Sequence, residues 1–228
     1  MGYSTDLYGK FDLNKNLTDP EIIYLTAFNE TRHFKRDVTK MGFPNDYFGK
    51  EGEFYVSLPS YRLEYLKKCI LDKNDPLYKY YTAPEGMEKG ILYLNDEDWH
   101  KNFHNTKEEC DKYGIIDYNK PAGSCPSLYC TWTPSAEGNA IEPDGMDKPY
   151  DYIPWIVFII NNFLKPKGYE LTGEVDWQGE EPEDFGKIKI EKNNIHILKG
   201  IRKYEEITCD EYININRNYD IAFNQLML

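Results

Sequence analysis

Residues 3–13 alternate between mainly apolar positions and mainly polar ones, which is typical of a β-strand with one face in water. One face carries Tyr3, Thr5, Leu7, Phe11 and Leu13. The other face carries Ser4, Asp6, Lys10 and Asp12. The pattern therefore predicts that residues 3–13 form a strand whose apolar face packs against a core.

A helix is predicted directly after this strand. The segment Thr18-Asp-Pro-Glu21 has the spacing of a capping box, in which threonine and glutamate satisfy free amide groups at a helix N-terminus. An apolar face follows at Ile22, Ile23, Leu25 and Phe28. The basic stretch 32–36 comes next, and we expect it to end the helix because cations are favoured near a helix C-terminus.

The periodicity weakens in the middle of the chain. Residues 60–71 and 96–113 have helical spacing, and turn signals at residues 74–76 and 83–86 separate them. We interpret residues 57–120, approximately, as a partly helical insertion in a single domain that spans residues 1–228.

The second half of the chain predicts a hairpin, a helix and three strands. Residues 128–133 and 140–142 flank a turn at Gly138 and Asn139, both of which tolerate a positive φ angle. Residues 150–164 are apolar nearly all round and predict a buried helix with Asp151 as its N-cap. The three strands are predicted at residues 169–177, 187–190 and 195–198, with a turn at 191–194.

The predicted order is β-α-insertion-β-β-α-β-β-β. Helices on one face of a mainly antiparallel sheet make an α+β two-layer sandwich, and a ferredoxin-like arrangement is one candidate for its topology. Residues 203–228 have no clear period and are interpreted as an irregular tail, in which Tyr212, Ile213 and Ile215 could add an edge strand.

Composition narrows the function classes. The formal net charge of the 228 residues is -12, so the protein's field repels phosphate backbones and argues against broad binding of DNA or RNA. The longest apolar run, residues 153–160, is too short to span a bilayer, so no membrane association is expected. Five cysteines without a secretory signal favour reduced thiols and a cytoplasmic location.

Six segments carry a resemblance to a known family: GYSTDLYGKFDL, AFNETRHFKRD, FGKEGEFYV, IDYNKPAGSCPSLYCTW, YDYIPW and GEVDWQGEEPEDFGKI. Together they resemble a family of small proteins from bacteria and their phages that has no established activity. The resemblance covers the chain except roughly residues 59–105 and 204–228. It implies an accessory role in a phage, a virus or another mobile element. The family usually has one cysteine beside a tryptophan pair, which Cys130 matches, with Tyr129 in place of one tryptophan.

Carboxylates are concentrated in residues 173–187, GEVDWQGEEPEDFGK. Asp176, Glu180 and Asp184 could converge on Mg²⁺ or Ca²⁺, which prefer oxygen ligands, and such a site could support a metal-dependent hydrolase. The alternative is a solvated turn, because acidic connections with glycine and proline are typical of turns. The sequence favours the turn.

Histidine and cysteine offer two further sites. His100 and His104 share a predicted helical face near Cys110, with Cys125 and Cys130 further on, but this spacing fits known zinc sites poorly and the sequence argues against zinc. Cys130 could also act as a nucleophile with His196 across the sheet. A free buried cysteine usually behaves as a small apolar residue, so this role is disfavoured.

Basic and aromatic residues give the last candidate site. Arg32, Lys35 and Arg36 beside aromatic side chains, with Trp132 and Trp177 as the tryptophans of this set, could hold a small anionic ligand. The sequence contains no complete catalytic constellation. It therefore favours a non-enzymatic protein that needs no cofactor and binds a host protein or a small anionic ligand, with the metal-dependent hydrolase as the alternative. The oligomeric state is left open.

Overall fold

The structure is a computed structural model that describes residues 2–40, 48–56, 114–203 and 206–209. The strands are β1 (Thr5–Leu13), β2 (Phe34–Arg36), β3 (Ile115–Pro121), β4 (Trp132–Pro134), β5 (Ala140–Pro143), β6 (Leu171–Gly179), β7 (Phe185–Glu191) and β8 (Asn194–Lys199). The α-helices are α1 (Asp19–Glu30) and α2 (Tyr152–Ile159), and α2 continues as a π-helical turn (Ile160–Leu164) and a 3₁₀ turn (Lys165–Lys167).

Six strands form one sheet in the order β4-β5-β1-β6-β7-β8, and every pairing in it is antiparallel. Strand β1 lies between β5 and β6, while β5 lies between β1 and β4. With α1 after β1 and α2 after β5, these four strands have the connectivity of a ferredoxin-like arrangement, extended by the β7–β8 hairpin. The predicted α+β fold is confirmed.

The core lies between this sheet and the two helices. On β6 the buried residues Leu171, Val175 and Trp177 alternate with exposed ones, as the period of a strand requires. Phe28 of α1 packs against Trp155 of α2, with ring centroids 5.9 Å apart. Both helices therefore cover the same face of the sheet, and the other face carries the polar positions.

The N-terminus of α1 is fixed by Glu21, a buried carboxylate. Its Oε2 accepts hydrogen bonds from the backbone N–H of Thr18 at 2.7 Å and from the Tyr169 hydroxyl at 2.7 Å, and Lys167 pairs with Oε1. Burial alone would raise the pKa of the Glu21 carboxyl, but the hydrogen bonds from Lys167, Thr18 and Tyr169 outweigh it and lower the pKa. The predicted role of Glu21 at the helix start is confirmed, and this residue also ties α1 to the end of the second helix.

The basic stretch 32–36 does not end α1, so that prediction is wrong. The helix ends at Glu30, and Thr31 is extended, with its hydroxyl donating to the carbonyl of Ala27 at 2.6 Å. The last turn of α1 has no basic residue. The stretch instead continues into β2, which pairs with β3 in a separate two-stranded sheet.

The structure describes the predicted insertion, residues 57–120, only at its C-terminal end. Residues 57–113 lie outside the described residues, as do Tyr212, Ile213 and Ile215 of the tail. Residues 115–120, however, belong to β3 and pair with β2, which follows α1. The hairpin is also shorter than predicted, because residues 128–131 form a loop and β4 begins at Trp132.

None of the helices in the described part of the chain is long and apolar enough to cross a bilayer.

Candidate functional site

The acidic segment 173–187 forms the β6–β7 hairpin, and its carboxylates bond to the protein itself. Asp184 accepts from the Trp177 indole N–H at 3.2 Å and from the Tyr3 hydroxyl at 2.8 Å. Glu180 accepts from the backbone N–H of Ser4 at 2.7 Å. These bonds fasten the N-terminal segment of the chain to the hairpin.

Asp176 points away from the other two carboxylates of the proposed metal site. It lies on the exposed face of β6, where Lys187 Nζ is 3.6 Å from its carboxylate, whereas neighbouring Trp177 faces the core and contacts Asp184. The structure therefore does not bring Asp176, Glu180 and Asp184 together. Within the described ranges, no group of three or more histidine, cysteine, aspartate or glutamate side chains is placed to hold a metal ion.

The thiol sites are also separated. Cys125 and Cys130 are buried free cysteines, and burial raises the pKa of both thiols. Cys130 precedes β4 at one edge of the six-stranded sheet, while His196 lies in β8 at the other edge. The suggested pair of Cys130 and His196 is therefore wrong. His100, His104 and Cys110 lie outside the described residues.

The residues proposed to hold an anion are dispersed. The Trp132 ring is 1% exposed and its N–H donates to the carbonyl of Tyr152 at 2.7 Å, and Trp177 is 7% exposed on the same core. Arg36 is also buried, and its guanidinium carbon lies 3.7 Å from the ring centroid of Phe34. Lys35 pairs with Glu51 at 3.0 Å on the surface. Of the five predicted residues, Arg32 contacts two side chains that line an open groove.

This groove lies between β3, the loop before β4 and the loop before α2, and its volume is about 640 Å³. We name it the Tyr129–Tyr150 groove after its two most exposed aromatic residues. Its lining residues are Asn119, Pro121, Pro126, Ser127, Leu128, Tyr129, Met146, Lys148, Tyr150 and Asp151. Most of the lining is apolar or aromatic, and the volume is in the range of small-ligand sites.

Arg32 holds one wall of the groove in place. Its guanidinium carbon lies 4.4 Å from the ring centroid of Tyr118 and 5.1 Å from that of Tyr129. Its Nη1 donates to the Tyr129 hydroxyl at 2.8 Å, and its Nη2 lies 3.4 Å from the side-chain oxygen of Asn119. Arg32 thus places a positive charge beside two lining residues.

The loop 126–129 is attached to the core by His33, which follows Arg32, and by Trp155 of α2. The backbone N–H of His33 donates to the carbonyl of Leu128 at 2.8 Å, and the Trp155 indole donates to the Ser127 hydroxyl at 2.8 Å. The buried His33 ring donates from Nε2 to the carbonyl of Phe28 at 2.8 Å. Burial, with a smaller contribution from Arg36, lowers the pKa of His33 to about 3, so its ring is neutral at physiological pH.

The opposite wall contains an unusual backbone conformation. Asp151 has φ 55° and ψ 31°, the left-handed region that residues other than glycine, asparagine and aspartate rarely adopt. The carbonyl of Asp151 accepts from the backbone N–H of Trp155 at 2.9 Å, so the conformation begins α2. The predicted N-cap position of Asp151 is confirmed, although its side chain makes no capping hydrogen bond.

Sequence reasoning missed most of this groove. It assigned Leu128 and Tyr129 to a strand and did not consider Met146 or Lys148. One signal was available, since Pro121 and Pro126 bracket a short segment with Gly123, a composition that favours a loop over a strand.

Comparison of the chain with protein-family models, with curated proteins and with solved structures found no match. The resemblance to small bacterial and phage proteins therefore stays a prediction.

Proposed function

We propose that this protein acts by binding, and that the Tyr129–Tyr150 groove takes a small amphipathic anion. The proposal depends on one observation, a mostly apolar groove of about 640 Å³ with Lys148 in its lining and with Arg32 bonded to the lining residue Tyr129. Apolar walls with a few polar groups at fixed positions are the usual composition of a ligand pocket. An accessory role in a phage or another mobile element is compatible with such a protein.

Charge supports an anion over a cation. The protein as a whole carries a net charge of -12, yet in the groove lining Lys148 offsets Asp151, and Arg32 contacts the lining residues Tyr129 and Asn119. The groove is therefore less repulsive to an anion than the acidic surface around it.

The titratable groups of the core support binding over catalysis. His33 has a pKa of about 3, and burial raises the pKa of the Cys125 and Cys130 thiols. Such values leave the imidazole and the thiols neutral near pH 7, where a general base or a thiolate nucleophile needs a pKa close to the working pH.

The proposal is tested with two fluorescent probes, the anion 8-anilinonaphthalene-1-sulfonate and the neutral N-phenyl-1-naphthylamine. We expect one anion per protein. Tyr150→Ala should weaken the binding of both probes, since Tyr150 is 52% exposed and lines the groove. Tyr8→Ala is the control and should leave the binding of both probes unchanged, since Tyr8 is 59% exposed and lies outside the groove.

The charge is tested separately. Lys148→Glu should lower the affinity for the anionic probe several-fold and leave the affinity for the neutral probe unchanged. Lys192→Glu, in the β7–β8 turn, should change neither affinity. If Lys148→Glu lowered the affinity for both probes equally, or left the affinity for the anionic probe unchanged, the preference for anions would be refuted. An unchanged affinity of both probes in Tyr150→Ala would refute the groove.

A further inference from the structure

The two edges of the six-stranded sheet differ. Strand β4 has three residues and includes Pro134, which cannot donate a backbone hydrogen bond, so this edge offers little to another strand. Strand β8 has six residues, and among the described strands it pairs with β7 alone. An edge of this length, rich in isoleucine and leucine, is a template for an added strand.

The register shows which backbone groups of β8 face outward. The β7–β8 hairpin has a two-residue turn at Lys192 and Asn193, with φ angles of 48° and 67°, which favours a hydrogen-bonded closing pair. The N–H of Gly200 donates to the carbonyl of Phe185 at 2.8 Å, in the same alternation. Ile195, Ile197 and Lys199 occupy the alternate positions, so their N–H and C=O groups point away from β7.

Apolar side chains on the helix-covered face of β8 are only partly covered. Ile195 and Ile197 lie opposite the buried residues Ile190 and Ile188 of β7, yet Ile197 is 46% exposed. Beside them, Val157 of α2 is 38% exposed. Val157, Ile160 and Ile195 form the apolar part of a groove of about 530 Å³ between the second helix and the β7–β8 hairpin. Its other lining residues are polar or charged: Asn161, Glu191, Asn193, Asn194 and His196. An added strand would place alternate side chains over this groove.

The charge of this hairpin is opposite to that of the whole protein. Residues 185–203, which are the hairpin and the four residues after it, contain six lysines and arginines against one glutamate, a net charge of +5 in a chain of net charge -12. Lys187 pairs with Glu174 and Lys189 pairs with Glu191, so the attraction for a partner comes from the remaining basic residues, Lys192, Lys199, Arg202 and Lys203. Lys192 and Lys199 lie at the two ends of β8. A second copy joined through β8 would bring two such basic hairpins together, which is unfavourable, whereas an acidic strand would be attracted.

We propose that the β8 edge binds a partner protein by strand addition, and that the partner segment is extended and alternates apolar residues with aspartate or glutamate. The backbone of Ile195, Ile197 and Lys199 supplies the hydrogen bonds. The apolar part of the groove at Val157 takes the apolar side chains, and the basic residues at the two ends of β8 select the acidic ones. This site is separate from the Tyr129–Tyr150 groove, and the inference does not depend on the function proposed for that groove.

The test uses the full chain and two labelled peptides, one of four Val-Glu repeats and one of four Val-Lys repeats, with binding followed by fluorescence anisotropy. The Val-Glu peptide should bind at least tenfold more tightly. Ile197→Pro removes a backbone N–H that points outward and keeps the hydrogen bonds to β7. It should lower the affinity for the Val-Glu peptide about tenfold, the equivalent of about 1.4 kcal/mol of binding free energy. Ile197→Thr keeps the N–H and should weaken it less.

Charge controls and a measurement on the unmodified protein complete the test. Lys192→Glu should lower the affinity for the Val-Glu peptide, whereas Lys148→Glu, in the Tyr129–Tyr150 groove, should leave it unchanged. Hydrogen exchange at the amides of Ile195, Ile197 and Lys199 should be fast in the free protein and slow when the Val-Glu peptide is bound, and this result does not depend on whether Ile197→Pro folds.

Four outcomes would overturn the proposal. Equal binding of the two peptides would remove the charge selection, and an unchanged affinity in a folded Ile197→Pro variant would remove the backbone contact. Slow exchange of the three amides in the free protein would show that the chain itself covers the edge. A dimer in light scattering that Ile197→Pro dissociates would show that a second copy occupies it.

Discussion

In the six-stranded sheet, apolar residues alternate along each strand and pack under two helices, whereas in the β2–β3 sheet arginines lie against aromatic rings. Phe11 and Val175 represent the first arrangement, since both are fully buried between sheet and helices. Arg36 represents the second, with its guanidinium carbon 3.7 Å from the ring centroid of Phe34 and 4.1 Å from that of Tyr55. Periodic burial of apolar side chains therefore stabilises the six-stranded sheet and its helices, whereas cation–π contacts stabilise the β2–β3 sheet beside it.

This difference places the two candidate binding surfaces. The Tyr129–Tyr150 groove lies where the loop before β4 meets β3, and Arg32 organises it by contacts with side chains distant in the sequence. The β8 edge lies where the alternation of apolar residues continues into a strand that the helices cover only in part. Both surfaces therefore occur at the limits of the main core, where the backbone or side chains have neighbours on one side only.

The largest expected effect is in the main core. Phe28 is fully buried, and its ring contacts those of Trp155, Phe158 and Phe163. Phe28→Ala should lower the free energy of unfolding by about 3–5 kcal/mol, because it removes a buried aromatic ring and leaves a cavity. Urea unfolding measures this effect, and Tyr8→Ala, at an exposed ring, should stay within about 0.5 kcal/mol of the parent. Similar losses for the two variants would contradict the assigned core.

An intermediate effect is expected at His33, where the two sheets meet. The pKa of this histidine falls from 6.5 to about 3 on folding, so between these values the unfolded chain binds more protons. The free energy of unfolding should therefore decrease as the pH falls from 6.5, by about 1.4 kcal/mol per pH unit, or about 2 kcal/mol at pH 5.

The comparison between the parent protein and His33→Leu separates the pH dependence caused by His33 from that caused by the other histidines. Urea unfolding at pH 7.5, 6.5 and 5.0 should give a steeper loss of stability for the parent. Parallel pH profiles would mean that His33 is accessible to protons in the folded state.

The smallest effect is expected at the wall of the Tyr129–Tyr150 groove. Asp151 is left-handed, so Asp151→Val should cost about 1–2 kcal/mol, because a branched side chain clashes with the backbone in this region. Asp151→Gly should keep or slightly raise the stability, since glycine adopts this conformation without strain. Thermal unfolding of both variants decides the matter, and equal melting temperatures would show that the conformation is not required.

Secondary structure could be predicted well where neighbours in the sequence decide it. The alternation in β1, the capping segment at Thr18 and Glu21, and the turn at residues 191–194 all gave elements close to those observed. The end of α1 could not be predicted in this way. Basic residues after an apolar face fit a helix end and a strand equally well, and the pairing of β2 with β3 decided for the strand.

The candidate site was predicted less completely. Arg32 was selected because basic and aromatic residues occur together in the sequence, and it does adjoin a groove. Trp132, Trp177 and Arg36 were selected for the same reason, but their side chains lie in the interior. A single sequence does not state which of several aromatic residues face the core, since that depends on which strands and helices cover them.

The sequence by itself determined the α+β class, the helix start at Thr18 with its partner Glu21, and the turn between β7 and β8, because these features depend on local periodicity and on the conformations that single residues tolerate. Only the tertiary structure decided that Arg32 meets Tyr129, 97 residues further along the chain, and that Asp176 and Asp184 point apart. Contacts across such separations arise from the packing of whole elements, and the identity of the individual residues does not fix that packing.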